Sequence, residues 1–262
     1  MLYDEIRRQR EEVQKKGRKA FFAWLFEYYA IPSLAVILIA GFVIWLLTSI
    51  LFRKADACGI MFVNTDADVD IEESVVSGFA EYAGIDLRRN NVIFDYQIRI
   101  PKNGAAESQE EISAMTAVVV KTTGGELDGF AADAAVFERY AEQDMFRDLR
   151  EVFPEEELAG MGERIFYVDR KVVDELLAMS AEEAEGRASL TEEEISAWDD
   201  PETFPLPDPA SMGEPVPVGI VITGLPKITE YGLYPDTAAV FGIPAAGPRP
   251  NAAAQFLRYL GE

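Results

Sequence analysis

DGFAADAAVFERYAEQDMFRDLREVF, residues 128–153, is the stretch on which the reading of this chain turns. Leu127 to Ala132 is a short apolar run, expected to form a buried strand. Asp133 stands where a helix would begin, and its carboxylate can accept from the N–H groups that a first helical turn leaves unpaired. Val136, Phe137, Tyr140 and Ala141 then recur at helical spacing and mark the buried face of that helix. A segment ending near Pro154 docks the unit.

The same strand-then-helix pattern repeats upstream. Gly59 to Asn64 (GIMFVN) is an apolar run bounded by polar residues, and Val75, Val76, Phe79, Tyr82 and Ala83 follow at helical spacing. Asp70 and Glu73 stand as a capping box would require, and Gly84 fits a helix stop. Asn91 to Ile100 (NVIFDYQIRI) is rich in β-formers. A helix follows through Ile112, Met115, Val118 and Val119. Parallel neighbours need crossover connections, so three successive strand–helix units predict an α/β domain with a mostly parallel sheet.

Beyond Pro154, Arg164 to Val168 reads as a strand, and Asp169 to Ala184 as a helix through Val172, Val173, Leu176 and Leu177. Residues 181–217 are acidic and then proline-rich, with Pro201, Pro205, Pro207, Pro209, Pro215 and Pro217, and are expected to form a surface loop. Val216 to Thr223 and Ala238 to Ile243 are the last strands. Asn251 to Leu260 closes the chain as a helix with Ala254, Phe256, Leu257 and Leu260 inward.

The N-terminal part has a different character. Ile31 to Phe52 carries no charge over 22 residues, about 33 Å of helix against a hydrocarbon core of roughly 30 Å. A transmembrane helix is therefore expected at 31–52, preceded by a juxtamembrane helix at 1–30 and followed by the α/β domain at 57–262. Arg7, Arg8, Arg10, Lys15, Lys16, Arg18 and Lys19 precede the span and only Arg53 and Lys54 follow closely. The expected localisation is thus the cell membrane, single-pass, with a cytoplasmic N-terminus and an extracytoplasmic C-terminal domain. Phe21, Phe22, Trp24, Phe26, Tyr28 and Tyr29 suit the headgroup layer.

The chain has 24 Lys+Arg against 46 Asp+Glu, and residues 55–262 hold 15 of those bases and 41 of the acids, a net charge of −26. Nucleic acid is a poor partner for such a field, whereas cations, cationic peptides or a basic protein face are attracted.

With no histidine and one cysteine, Cys58, neither a serine–histidine nor a cysteine–histidine pair can form. No phosphate-cradling G-x-x-x-x-G-K-[ST] is present. Asp66, Asp68 and Asp70 form a D-x-D-x-D run. Ile71 stands where an EF-hand loop needs glycine and Ser77 where it needs glutamate, so the run reads as helix capping and no metal site is expected. The expectation is a non-enzyme without cofactor. Open α/β sheets bind small molecules at the carboxyl ends of their strands, which makes Asn64, Thr65, Asp66 and Asp133 the candidate ligand contacts. The same residues serve equally as caps and turn formers.

Residues 125–156 resemble the third strand and following helix of the first lobe of extracellular solute-binding proteins, the receptors of ABC importers. Asp128, Asp133, Ala141 and Leu149 match that layout. GIMFVNTD at 59–66 is similar to the family's first strand, EESVVSGFAEYAGIDL at 72–87 to its first helix, and NAAAQFLRYLGE at 251–262 to its usual final helix. The similar regions cover somewhat over half the chain. The resemblance implies one lobe of a type II periplasmic-binding-protein domain, with only about fifty-five residues where the family inserts its second lobe. The expected function is a degenerate, one-lobed, solute-binding-like domain used for protein interaction or weak ligand sensing beside a transporter or envelope complex. The alternative is a genuine solute receptor with a shortened second lobe. Expected partners are the membrane itself and a membrane or envelope protein, with a small solute as a further candidate.

Overall fold

A computed structural model describes residues 7–8, 34–48, 54–67, 71–179 and 191–262. The chain divides into two compact units, Met1–Arg53 and Lys54–Glu262.

In the first unit, residues 34–48 form an exposed helix. Among the described residues no helix is long and apolar enough to cross a membrane. This overturns the expected transmembrane helix at 31–52, and with it the single-pass membrane localisation and the cytoplasmic and extracytoplasmic assignment of the two ends. The ends of the expected span, the aromatic cluster before it and the preceding basic residues other than Arg7 and Arg8 lie outside the described residues.

The second unit is built on one six-stranded sheet. Its strands are β1 (Ala55–Val63), β2 (Asn90–Ile98), β3 (Gly129–Asp133), β4 (Ile165–Asp169), β5 (Pro215–Val221) and β6 (Ala239–Gly242), in the order β2-β1-β3-β6-β5-β4. The helices are α1 (Glu72–Ala83), α2 (Gln109–Thr123), α3 (Ala134–Ala141), α4 (Glu155–Met161), α5 (Arg170–Ala178), α6 (Glu192–Asp199), α7 (Pro226–Glu230) and α8 (Pro250–Leu260).

The first three strands pair in parallel, each connected to the next through a helix. The rest of the sheet departs from the expected, mostly parallel arrangement. β6 runs antiparallel to both β3 and β5, and β5 antiparallel to β4, which makes a mixed sheet with two parallel and three antiparallel pairings. β6 inserts between β3 and β5 in the reverse direction, so the last strands pair without the repeated crossovers that a parallel continuation demands.

Both faces are covered, which accounts for the unbroken apolar run of β1. Cys58, Ile60 and Phe62 face a cluster with Val75 and Phe79 of α1 and Phe256, Leu257 and Leu260 of α8. Met61 and Val63 point the other way, into a cluster with Phe130, Val136, Phe137 and Phe166. On that second face the Phe137 ring stacks on Phe146 at 4.4 Å and lies against Gly219 and Gly242, where a Cβ would come within 2.6–2.8 Å of its nearest neighbour. Those two glycines are register partners on β5 and β6, so a side chain at either would displace the stacked rings.

Local signals account for most helix ends. Asp133 caps α3 by accepting from the Val136 N–H at 3.0 Å. Gly84 ends α1 in the left-handed region at φ 67°. Ser108 and Glu111 form a reciprocal capping box on α2. The box expected from Asp70 and Glu73 involves Asp70, which lies outside the described residues; the N-cap of α1 is Ile71, with no side-chain cap bond.

The expected loop at 181–217 contains a helix, α6, opened by a Thr191–Glu194 capping box. Residues 181–190 lie outside the described residues. After α6 the proline-rich stretch folds back, so that Trp198 and Phe204 pack on the Phe166 ring at centroid distances of 6.3 and 6.4 Å. Asp169, at the end of β4, holds the last part of this stretch by accepting from the N–H groups of Gly213 at 2.6 Å and Glu214 at 3.0 Å. Those bonds, led by the one from Gly213, keep its carboxyl below the usual range.

Candidate binding site at the strand ends

All four residues singled out from the sequence lie where β1 and β3 end. Asn64 follows β1 directly and takes the left-handed conformation, φ 58°. Its amide is engaged at both ends: Nδ2 donates to the Ile100 carbonyl at 3.0 Å and to Asp133 Oδ2 at 2.7 Å, while Oδ1 accepts from the Ile100 N–H at 2.8 Å. Thr65 is fully buried and its hydroxyl donates to the Tyr96 carbonyl at 3.1 Å. Asp133 is also fully buried, holding the first turn of α3 through Oδ1 and the Asn64 amide through Oδ2. Only Asp66 presents an exposed side chain, its backbone N–H being fixed to the Leu233 carbonyl at 3.0 Å.

Behind this layer the Tyr234 hydroxyl donates to the Val63 carbonyl at 2.6 Å. Complete burial, with the Asp133 carboxylate nearby, pushes its pKa well above the ordinary tyrosine value, so it stays a donor. The carboxyl ends of β1 and β3 are therefore joined by side-chain hydrogen bonds to each other and to the chain leaving β2.

Asn64 and Asp66 form one side of an open cleft of about 330 Å³, completed chiefly by Arg99, Lys102, Glu111 and Thr237. These four were not singled out from the sequence, and no motif joins them. What could have drawn notice to Arg99 and Lys102 is that two of the few bases in an acidic domain follow the second strand directly. Arg99 is exposed and makes no side-chain hydrogen bond or ion pair among the described residues. Close by, the Arg139 guanidinium of α3 donates to the Lys102 carbonyl, while its Nη1 is buried without a partner and burial lowers its pKa. Glu111 accepts from the N–H groups of Glu107 and Ser108, which draws its pKa down and commits its carboxylate to the start of α2.

The cleft thus combines two bases, Arg99 and Lys102, with an exposed and a half-exposed acid, Asp66 and Glu111. Among the described residues no three His, Cys, Asp or Glu side chains are grouped to hold a metal ion. Cys58 is buried, its thiol pushed up to about 12 by desolvation and by Asp128, so it is not poised as a nucleophile. Among the described residues the stretch between β4 and β5 supplies α5, α6 and a 3-10 turn at Pro209–Ser211, and no strand. Trp198 and Phe204 pack on Phe166 of β4, and α6 also packs against α3, but none of this stretch lines the cleft.

No protein-family model matches the chain, and no characterised protein matches it in sequence. The likeness to solute-binding receptors rests on the residues quoted from the sequence alone.

Proposed function

We propose that residues 54–262 form a non-catalytic binding module, a one-lobed, solute-binding-like domain whose work is protein interaction, with weak ligand sensing at the strand-end cleft. The observation that carries this reading is the engagement of the candidate contacts. The amide of Asn64, the hydroxyl of Thr65 and the carboxylate of Asp133 hold strand ends and a helix start together. What is left to a solute is an open cleft, whereas tight small-molecule sites bury most of the ligand surface. The absence of histidine and a buried, protonated thiol count against nucleophilic catalysis.

The receptor reading needs a cover over the cleft, and no residue of the described part of the β4–β5 connection lines it. Calorimetric titration of the full chain with sugars, amino acids, short peptides and divalent cations tests the proposal. Weak or undetectable heats for the small solutes are expected. Saturable, submicromolar uptake of one solute class would overturn it in favour of a true receptor.

A further inference from the structure

The outer side of α2 carries no charge, although it belongs to a strongly acidic domain. From Ile112 on, its exposed residues are Ile112, Ser113, Thr116, Val119, Val120 and Thr123. Ile112 is 48% exposed, Val119 38% and Val120 55%. By contrast α1 exposes Glu72, Glu73 and Glu81, and α5 exposes Lys171, Asp174 and Glu175. The Thr116 hydroxyl donates to the Ile112 carbonyl and the Thr123 hydroxyl to the Val119 carbonyl, each at 2.7 Å, so neither depends on water for a partner. The charges bordering the stripe are also engaged. Glu111 accepts from the N–H groups of Glu107 and Ser108, and Lys121 pairs with Asp95 of β2 at 2.8 Å.

At exposed helix positions packing makes no demand, and strong helix formers such as alanine, glutamate and lysine serve best. Five of the six residues of this stripe are instead β-branched. Such side chains are stiff about χ1, which weakens a helix but leaves little rotamer freedom to lose on docking. The stripe therefore gives up helix propensity for a rigid, nearly apolar surface that suits a covered face.

The arrangement of the stripe selects its occupant. Thr116 is the midpoint of α2, Gln109–Thr123, and at about 100° per residue Ile112 and Val120 lie about 40° to either side of it, Ser113 and Val119 about 60°. We propose that α2 pairs with α2 of a second copy of this chain, antiparallel about a two-fold axis at Thr116. An isologous contact requires a patch complementary to itself. Here Ile112 of one copy lies level with Val120 of the other, Ser113 with Val119 and Gln109 with Thr123. The net charge of −26 over residues 55–262 opposes contact between copies through charged surface, and this stripe lets them meet without bringing like charges together. None of its residues lines the strand-end cleft, so the pairing is independent of what that cleft takes.

Positional disulfide cross-linking of the full chain tests this, because the exposed apolar helix at 34–48 is a separate route to association that would not distinguish positions on α2. The native Cys58 is buried with its thiol pushed up to about 12, so it does not compete. Packed helices lie about 8–10 Å apart, which brings Thr116 and its copy within disulfide reach. The two copies of Thr123 are about 21 Å apart along the helix axes and beyond it. On oxidation with copper–phenanthroline, Thr116→Cys is expected to give covalent dimer, Thr123→Cys alone to stay monomeric, and Gln109→Cys combined with Thr123→Cys to give dimer. Adding Val120→Glu, an exposed substitution, lowers the Thr116→Cys dimer yield by about fivefold or more. No dimer from Thr116→Cys, equal yields from Thr116→Cys and Thr123→Cys, or a yield unmoved by Val120→Glu overturns the pairing. The binding-module reading fails separately, on tight capture of a small solute.

Discussion

The Asp128 carboxylate, fully buried at the start of β3, is joined to Arg249 at the start of α8 by two bonds. Oδ2 accepts from the Arg249 Nε at 2.9 Å and Oδ1 from the Arg249 backbone N–H at 2.9 Å. Oδ2 also accepts from the Gly59 N–H at 2.8 Å, and the Arg249 guanidinium reaches on to the Asp56 carbonyl. One acid thus fastens β1, β3 and the final helix. Removing a single partner of a buried pair costs more than the pair contributes, because the other is left without compensation. Asp128→Ala is expected to lower stability by about 3–5 kcal/mol and Asp128→Asn by less, since an amide oxygen still accepts. Loss of the surface pair Lys227–Glu230 is expected to cost under about 1 kcal/mol. Urea denaturation of the three variants checks the order, and equal costs for Asp128→Ala and Glu230→Ala would refute it.

Asn64 offers a test of whether the strand-end residues serve the fold or a ligand. Asn64→Ala removes all three amide bonds and leaves a residue with a Cβ at φ 58°. A loss of about 2–4 kcal/mol is expected. Asn64→Gly removes the same bonds but is at ease in the left-handed region, and is expected to recover about 1 kcal/mol of that loss. If Asn64→Ala melts with wild type, the amide does not hold the strand ends and is free for ligand contact.

The parts of the fold that were legible in the sequence are those in which a buried run and its cap adjoin. Asp133 preceding Val136, Phe137 and Tyr140 announces β3 and α3, and the small residues before Phe256 and Leu257 announce α8. Strand direction was not legible beyond β3, because the apolar runs of β5 and β6 read alike in parallel and antiparallel pairings. The helix α6 was hidden in an acidic stretch, although Thr191 and Glu194 carry the spacing of a capping box. The uncharged run at 31–52 speaks for hydropathy, but among the described residues no helix is long and apolar enough for the crossing that hydropathy suggested. In the cleft, Asn64 and Asp133 could be placed by chain position. Arg99, Lys102, Glu111 and Thr237 converge only through the tertiary fold.

Cys58 supplies a chemical reading of the core. Its thiol is raised from 9.0 to about 12, first by burial and then by the Asp128 charge. Since the native state holds the proton more tightly than the unfolded chain, the associated stability is fully present below pH 9 and is lost as pH rises through 12. At pH 8 a maleimide is expected to label the native protein only at the rate of its unfolding and to label the chain rapidly in denaturant. Rapid labelling of native protein would show that β1 is not covered at Cys58.

Gly78 brings two opposed effects to one position. An added Cβ would meet the Tyr259 hydroxyl oxygen at 2.2 Å and the Tyr231 hydroxyl oxygen at 3.3 Å. Alanine in a helix interior gains about 1 kcal/mol over glycine, whereas forcing a group into an occupied space costs about 1–3 kcal/mol. Gly78→Ala is therefore expected to destabilise slightly, by up to about 2 kcal/mol, and to break the 2.6 Å bond between the tyrosine hydroxyls. In a Tyr259→Phe background the hydroxyl is gone and helix propensity prevails, so the same substitution becomes neutral or stabilising. A double-mutant cycle by chemical denaturation reads the coupling directly. Additive effects would mean that Tyr259 does not rest against Gly78.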